Sequence, residues 1–381
     1  MTKDIRYVGV YDREIDLFEG QYPAEDGITY NSYAIMDEKI AVMDAVDRRF
    51  AGQWLEHIGR VLDGGRPDYL IVQHMEPDHS AGVTAFMEAY PGAVIVASAK
   101  AFAMMKTFFG EDYAARRIVV GEGDTLCLGR RELTFVAAPM IHWPEVIMTW
   151  DAHDRVFFSA DAFGRFGAIG DGTDWAQEAR RYYIGIVGKY GAQVQALLKK
   201  IEGLGIRAIC PLHGPVIEDD LSRCLALYDT WSAYRSEESG VTIAYTSIYG
   251  NTKKAVSLLA RMLRESGAPV AVHDLARCDQ FSAVADAFRY DRLILAATTY
   301  NAGVFPSMRT FLHHLEERNF RSRRVGFVEN GTWAPAAAKV MRGLLAPCRD
   351  LAFADTTVRI VSALSAESLA QLQALADEMK A

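Results

Sequence analysis

The chain lacks the features that mark secreted, membrane-spanning and nucleic-acid-binding proteins. Its five cysteines are scattered through 381 residues without a Cys-x-x-Cys pair, which argues against a disulfide framework and against a thiolate iron site. No apolar run approaches the ~20 residues of a membrane span, and the first residues lack a signal peptide's apolar core. The net charge of -8 argues against nucleic acid as the main partner. We therefore expect a cytoplasmic protein that binds neither membranes nor nucleic acid.

The sequence also lacks internal repeats and low-complexity segments, and its length exceeds that of one typical domain. A polar stretch at 231–240 ends a helical pattern, and a new strand pattern begins at Val241. We therefore predict one domain at 1–235 and a second at 240–381. Strand pairs with polar turns and longer helices, such as 180–201, predict an αββα sandwich for the first. Short apolar runs that alternate with amphipathic helices predict a doubly wound parallel sheet for the second.

Four metal-ligand side chains follow the apolar run 69–72 within six residues: His74, Glu76, Asp78 and His79. A loop at the end of a buried strand can aim alternate side chains into one cavity. Two imidazoles and two carboxylates are more ligands than one ion needs, which predicts a pair of metals. The alternative is a polar turn whose side chains are solvated or cap a helix.

Further ligand types stand at the ends of later apolar runs. These are His142, Asp161 and His213. Each lies where a predicted strand ends in a loop, so distant ligands can collect at one edge of the fold. This recurrence favours the metal site over the solvated turn.

The cluster resembles the metallo-β-lactamase superfamily, whose first motif reads His-x-His-x-Asp-His. Glu76 stands where the zinc hydrolases have their second His, and flavodiiron proteins show that exchange. A harder oxygen ligand suits a pair of redox irons better than hydrolytic zinc. By resemblance, one iron would be held by His74, Glu76 and His142, the other by Asp78 and His213, and Asp161 would bridge them. Family members differ over whether the residue at His79 binds iron.

The second domain's first strand leads into a turn rich in hydroxyl groups at a helix N-terminus. Such a turn can cradle a phosphate, although a simple helix cap is the alternative reading of the turn alone. Two later strands end in similar loops, in which Tyr300 and Trp333 could flank a flat ring. The candidate cofactor contacts are Thr246, Ser247, Ile248, Tyr249, Gly250, Asn251 and Thr252 in the first loop, Thr298, Thr299, Tyr300, Asn301, Ala302 and Gly303 in the second, and Asn330, Gly331, Thr332 and Trp333 in the third. Residues 241–381 resemble flavodoxins, which hold FMN at these places.

The two halves in this order resemble the flavodiiron (A-type flavoprotein) family over nearly the whole chain. The resemblance implies a metallo-β-lactamase-like αββα sandwich followed by a flavodoxin-like sheet, with FMN and two Fe ions per chain. It also implies reduction of O2 to water, of NO to N2O, or of both, with electrons passing through FMN. The chain ends with the flavodoxin-like half, so we expect an external electron donor such as rubredoxin. Family members pair head to tail, so we expect a homodimer or a dimer of dimers.

Three residues are candidates for roles beside the metals. Glu19 stands in Phe18-Glu19-Gly20, where many family members have a His, and a carboxylate there would change proton supply. The alternative for Glu19 is a surface acid in a Gly-flanked turn. Tyr182 or Tyr183 could donate a hydrogen bond to bound substrate, and a packed core tyrosine is the alternative for each.

Two other functions compete with the flavodiiron reading. A zinc or iron hydrolase with a flavodoxin-like appendage is disfavoured by Glu76, and a non-catalytic electron-transfer module is disfavoured by the seven candidate ligands. The sequence ranks neither O2 nor NO first. The basic run 321–324 is interpreted as a solvated face, with docking of an acidic electron carrier as the alternative.

Overall fold

The computed structural model describes residues 3–167 and 174–380. The chain divides into two compact units, Met1–Asp229 and Thr230–Ala381. No helix in the two described ranges is both long enough and apolar enough to cross a membrane.

The first unit contains two main sheets and the helices that cover them. Its strands are β1 (Ile5–Tyr7), β2 (Val10–Asp12), β3 (Leu17–Phe18), β4 (Tyr22–Pro23), β5 (Ile28–Tyr30), β6 (Tyr33–Ile35), β7 (Ala41–Met43), β8 (Tyr69–Val72), β9 (Val94–Ala97), β10 (Arg117–Val119), β11 (Thr125–Cys127), β12 (Glu132–Ala137), β13 (Ile147–Asp151), β14 (Val156–Phe158) and β15 (Ala208–Cys210). Its helices are α1 (Ala51–Leu62), α2 (Pro77–Ser80), α3 (Val83–Ala89), α4 (Ala99–Phe109), α5 (Trp175–Tyr182), α6 (Gly191–Ile201) and α7 (Leu221–Ser232), the last of which crosses the division between the units.

The two main sheets run in the orders β1-β6-β7-β8-β9-β10 and β11-β12-β13-β14-β15. Side chains from both sheets form one buried cluster, in which Ile71 and Val96 of the first sheet join Phe135 and Phe158 of the second. The opposite face of the first sheet is covered by helices, where the ring of Trp54 packs 5.6 Å from that of Phe86. Strands buried on both faces read as continuous apolar runs, as β8 does. The predicted αββα sandwich is confirmed.

The helix predicted for 180–201 is interrupted. After α5 the chain forms a π-helical turn at Tyr183–Val187 and a 3-10 turn at Gly188–Tyr190 before α6 begins. A Cβ atom at Gly185 would lie 2.7 Å from the ring of Tyr22, whose hydroxyl donates to the Gly185 carbonyl at 2.8 Å. Glycine weakens a regular helix, and π-turns are frequent at functional sites. The interruption therefore places Tyr22 against the chain just after Tyr182.

The second unit alternates strands and helices. Its elements are β16 (Glu238–Tyr245), α8 (Asn251–Glu265), β17 (Val270–Asp274), α9 (Gln280–Arg289), β18 (Tyr290–Tyr300), β19 (Gly303–Val304), α10 (Pro306–Glu317), β20 (Arg324–Asn330), α11 (Ala337–Leu344), β21 (Ala352–Ile360) and α12 (Ala366–Met379). The main sheet has the order β17-β16-β18-β20-β21, and all its neighbours are parallel. Apolar side chains of α8 and α12 pack on one face of it. This is the doubly wound order of flavodoxin-like folds, as predicted.

The basic run 321–324 is not a solvated face throughout, because Arg323 is 3% exposed. Its guanidinium donates to backbone carbonyls, among them those of Phe288 at 2.6 Å and Tyr290 at 2.8 Å. Burial lowers the pKa of Arg323 to about 10. Arg323 therefore fastens backbone segments of this unit together, and only its neighbours reach the surface.

Candidate metal centre and flavin cleft

The seven predicted metal ligands of the first unit come from four connections of the two sheets. His74 and Glu76 lie in the loop after β8, Asp78 and His79 in α2, and His142, Asp161 and His213 in the loops after β12, β14 and β15. Pro77 begins α2, where its missing N–H costs no helical hydrogen bond. The short helix thus turns the chain so that ligands on both sides of Pro77 reach one place.

Four of these side chains form a first group, with ligand atoms within 4.8 Å of one another: His74, Glu76, His142 and Asp161. The Oε2 atom of Glu76 lies 3.2 Å from His74 Nε2 and 3.0 Å from His142 Nε2. The Oδ2 atom of Asp161 lies 3.0 Å from His142 Nε2. Two imidazole nitrogens and two carboxylate oxygens thus converge on one point.

Asp78, His79 and His213 form a second group within the same 4.8 Å limit. The Nε2 atoms of the two imidazoles are 2.9 Å apart, and Asp78 Oδ2 lies 3.3 Å from that of His79. Asp161 reaches this group with its other oxygen, since Oδ1 is 3.4 Å from His79 Nε2. One carboxylate therefore presents one oxygen to each group.

The donor set fits a pair of cations. Within the described ranges, both carboxylate oxygens of Asp78 and the Oδ1 atom of Asp161 are buried and accept no hydrogen bond. Buried carboxylate oxygens without a donor are costly unless a cation is coordinated. Nitrogen and oxygen ligands without a thiolate suit iron better than a soft metal, and residues that approach both groups suit two ions.

Opposite charges hold the cluster together. Burial alone would lower the pKa of His142, but its hydrogen bonds with Asp161 and Glu76 raise that pKa to about 9. Burial opposes ionisation of Glu76 as well, yet the imidazoles of His142 and His74 bring the pKa of Glu76 below its usual range. Cations that replace these protons would meet ligands already arranged in ionised pairs, and binding would release protons.

Two aromatic residues cover the second group. The ring of Tyr182 lies 5.5 Å from that of His213, and the ring of Phe18 lies 5.2 Å from it. Tyr182 is fully buried, and its hydroxyl has no hydrogen-bond partner among the described residues. Tyr183 lies elsewhere, with its ring 5.0 Å from that of Tyr228. Of the two tyrosines named from the sequence, the structure thus brings only Tyr182 to a ligand ring.

Glu19 follows Phe18 in the turn between β3 and β4, with a positive φ of 49°. Glu19 is an exposed residue, as the surface-acid alternative expects, but desolvation of its carboxyl group, reinforced by the Glu76 carboxylate and opposed by His142, raises its pKa to about 7. Gln21 Nε2 donates to the Glu19 carboxylate at 3.4 Å. The structure therefore brings Glu19 within electrostatic reach of the first group.

Two carboxylates that support the ligand loop were not predicted from the sequence. Glu145 accepts from Met75 N at 2.8 Å and lies 2.7 Å from His74 Nδ1. Asp44 accepts from the backbone N of Gln73 at 2.7 Å and from its side-chain amide at 2.8 Å. Both are buried and fix the loop that carries His74. Glu145 directly follows the run 142–144 and could have been found there, whereas nothing local in the sequence marks Asp44.

In the second unit, the three predicted loops surround a cleft of about 600 Å³ at the carboxyl ends of the strands. It is lined by Ser247, Ile248, Tyr249, Asn251, Thr252, Thr298, Thr299, Asn301, Ala302, Asn330, Gly331, Thr332, Trp333, Ala334 and Ser362. Four of the predicted contacts do not line it: Thr246, Gly250, Tyr300 and Gly303. Ala334 and Ser362 were missed. Ser362 follows β21, so extending the strand-end rule to the last strand would have found it.

The cleft fits a phosphate joined to a flat ring. Thr246 does not line the cleft itself but directly precedes Ser247, which does. It is 1% exposed, and its hydroxyl has no hydrogen-bond partner in the part of the chain described. It stands just ahead of α8, whose N-terminus attracts anions. Tyr249 and Trp333 are 93% and 82% exposed, so each has a ring face free to stack on a ligand.

Comparisons with known proteins match each half of the chain to a family. Residues 28–214 match the family described as ODP family beta lactamase, and residues 242–351 match the one described as Flavodoxin domain. An anaerobic nitric oxide reductase flavorubredoxin of Salmonella arizonae is 30% identical over 350 residues, which are 88% of this chain and 73% of that protein. That of Aliivibrio fischeri is 29% identical over 348 residues, 87% of this chain and 69% of that protein.

Solved structures extend the likeness to the fold of both units. The rubredoxin oxygen:oxidoreductase of Desulfovibrio gigas has a TM-score of 0.91 at 26% identity, covering 100% of this chain and 96% of that one. The flavodiiron protein of Giardia intestinalis has a TM-score of 0.88 at 25% identity, covering 100% of this chain and 95% of that one. Together with the relatives in sequence, these likenesses show that the chain belongs to the flavodiiron protein family.

Proposed function

We propose that this chain is a flavodiiron reductase that takes O2, NO or both as electron acceptor, with FMN and two irons as cofactors. The observation that carries the proposal is the pair of ligand groups that share Asp161 and include the oxygen ligand Glu76. A zinc hydrolase would have nitrogen at that position, whereas oxygen donors favour a harder, redox-active ion. The relatives' names, nitric oxide reductase and oxygen oxidoreductase, supply the two candidate acceptors.

We assign the metal ligands by group. His74, Glu76 and His142 hold one iron, Asp78 and His213 the other, and Asp161 bridges them. Support comes from the way in which Asp161 directs one oxygen to each group. His79 lies with the second group and is its third ligand in this proposal. All these ligands lie within the diiron domain that we propose at 1–235.

The domain at 240–381 binds FMN in the cleft of the second unit. The hydroxyls of Ser247 and Thr252, which line the cleft, receive the phosphate, with the hydroxyl of Thr246 next to them in the chain. Trp333 flanks the ring on one side, and Tyr249 takes the place of the predicted Tyr300, which does not line the cleft. The remaining predicted loop residues, including those that do not line the cleft, shape its backbone. When bound, the flavin and the iron pair supply the electrons and the metal site at which the gas is reduced.

The surrounding side chains exclude water and supply protons. Phe18 and Tyr182 close the apolar side of the cluster, and the Tyr182 hydroxyl, which has no partner among the residues that the structure describes, donates a hydrogen bond to a substrate oxygen. Tyr183, the other candidate donor, packs against Tyr228 instead and has no role at the metals in this proposal. Glu19 delivers a proton, because a carboxyl group with a pKa near 7 holds and releases protons at neutral pH.

An external carrier such as rubredoxin delivers the electrons in this proposal, and the chain acts as a head-to-tail homodimer or a dimer of such dimers. The name of the Desulfovibrio relative supports the choice of carrier. A two-fold axis would bring the flavin cleft of each subunit to the metal cluster of its partner. Mixed dimers test this arrangement. One chain carries His142→Ala with His213→Ala, and the other carries bulky replacements at Gly250 and Gly331. Recovery of about half the native activity supports the arrangement, since one of two symmetric pairs is intact, and dead mixed dimers refute it.

Metal analysis with a visible spectrum tests the function itself. About two irons and one flavin per chain are expected of a two-metal site beside a flavodoxin-like domain. Zinc without flavin would favour a hydrolase instead. Anaerobic turnover with NO, measured beside O2 consumption, then separates the two acceptors.

A further inference from the structure

The buried imidazoles of the metal cluster differ in the hydrogen-bond partners of their Nδ1 atoms. His74 directs its Nδ1 atom to the carboxylate of Glu145, at 2.7 Å. His213 directs its Nδ1 atom to a neutral group, the backbone carbonyl of Thr29, also at 2.7 Å. The Nδ1 atom of His79 is buried and has no hydrogen-bond partner in the described ranges. Because the Nε2 atoms of all three rings face the cluster, Nδ1 carries the proton and acts as a donor wherever an acceptor is present.

Glu145 is fixed in place for this contact. Its side chain is wholly buried, and its Oε1 atom accepts from Met75 N as well as from His74. Its own backbone carbonyl accepts from Ser98 Oγ at 2.8 Å, and Ser98 also caps helix α4. Its Oε2 atom accepts no hydrogen bond within the described ranges, and the only ion pair found for it there is with His74. The negative charge of Glu145 is therefore directed at one imidazole.

A carboxylate behind a metal-bound imidazole makes that imidazole a stronger electron donor than a backbone carbonyl does. The effect is large where little water screens the charge. In the first group, the Nδ1 atom of His74 contacts the buried charge of Glu145. In the second group, the Nδ1 atom of His213 contacts a neutral carbonyl, and that of His79 has no partner in the described ranges. Stronger donation stabilises the more oxidised state of a metal.

We propose that Glu145 is a positioning residue that makes the two metal positions unequal, so that the iron at His74, Glu76 and His142 is the harder of the two to reduce. This inference rests on the proposed diiron function and adds to it an order in which the two ions accept electrons. Glu145 acts through His74 and does not touch substrate. The competing explanation is a purely structural role, in which Glu145 only holds the loop through its hydrogen bond with the backbone N–H of Met75.

The variant Glu145→Gln separates the two explanations, because glutamine keeps an acceptor oxygen for His74 and Met75 but removes the charge. We expect the purified variant to retain FMN and both irons. In a redox titration followed by EPR and Mössbauer spectroscopy, the reduction potential of one iron should rise and the spectrum of that iron alone should change. Its iron should be lost to a chelator at about 10- to 100-fold lower chelator concentration, the usual cost of removing such a partner.

Asp44→Asn is the matched control. Asp44 is also a buried carboxylate that holds the same loop, through Gln73, but no hydrogen bond joins it to a ligand imidazole in the described ranges. We expect Asp44→Asn to lower the unfolding temperature without changing the spectrum of one iron alone. Unchanged potentials in Glu145→Gln, equal shifts at both irons, or the same one-sided change in Asp44→Asn would each overturn the inference. These outcomes leave the proposed function intact if the unaltered protein holds two irons and reduces O2 or NO, whereas an unaltered protein without iron overturns both.

Discussion

Replacing Asp161 with alanine should empty part of the metal site without disturbing the flavin. The carboxylate is 1% exposed and approaches His142 Nε2 at 3.0 Å with one oxygen and His79 Nε2 at 3.4 Å with the other. Each ion would lose one ligand, and the positive charges of two ions would no longer be separated by a shared anion. We expect the iron content to fall from about two per chain to about one or fewer. The FMN content should stay unchanged, because the cleft belongs to the other compact unit.

Iron analysis and the flavin spectrum of the same preparation measure both effects. Asp151→Ala is the matched control, because Asp151 is equally buried and ends β13, the neighbour of the strand that precedes Asp161, but pairs with Arg131 at 2.6 Å. Removing one partner of a buried ion pair costs about 3–5 kcal/mol. Because Asp154 and Asp4 still pair with Arg131, the loss should be at the low end of that range. The control should therefore be less stable and keep its iron. Full iron content and native turnover in Asp161→Ala would refute the bridging assignment.

Four further changes test other parts of the reasoning. Glu76→His should shift the site towards zinc and abolish gas reduction, because it replaces an oxygen donor with nitrogen; metal analysis that still finds iron, with native turnover, would contradict this. Gly331→Val should lose FMN absorbance, since even a Cβ added there would lie 3.1 Å from the backbone of Pro335. Full flavin content in this variant would count against the cleft as the FMN site. Glu19→Gln should lower the rate of gas reduction by up to about 10²-fold and flatten its pH profile. The rate of the native protein should fall as pH rises through about 7, where Glu19 loses the proton it donates. A variant with the same pH profile as the native protein would exclude this role for Glu19. Arg323→Met should cost about 3 kcal/mol of unfolding free energy because several backbone carbonyls lose a buried donor, and a denaturation midpoint equal to that of the unaltered chain would refute it.

The sequence by itself determined the architecture and the identities of the candidate ligands. Continuous apolar runs such as 69–72 mark strands buried on both faces. A ligand residue directly after such a strand must lie at the end of the sheet where the strands lead into loops. His74, His142, Asp161 and His213 obey this rule, and so do the loops of the flavin cleft. These predictions needed only local patterns, because the strand that precedes a ligand also positions it.

Tertiary structure decided what depends on residues far apart in the chain. The interruption between Tyr182 and Gly191 brings the Gly185 carbonyl to the Tyr22 hydroxyl, a contact that no helical pattern at 180–201 reveals. Likewise, Glu145 gains its role from a hydrogen bond to His74, 71 positions earlier. Arg323 reads as a surface charge in a basic run and is buried because backbone carbonyls from other segments surround it. A sequence pattern records the periodicity of one segment, whereas the environment of a buried polar group is set by whichever segments fold against it.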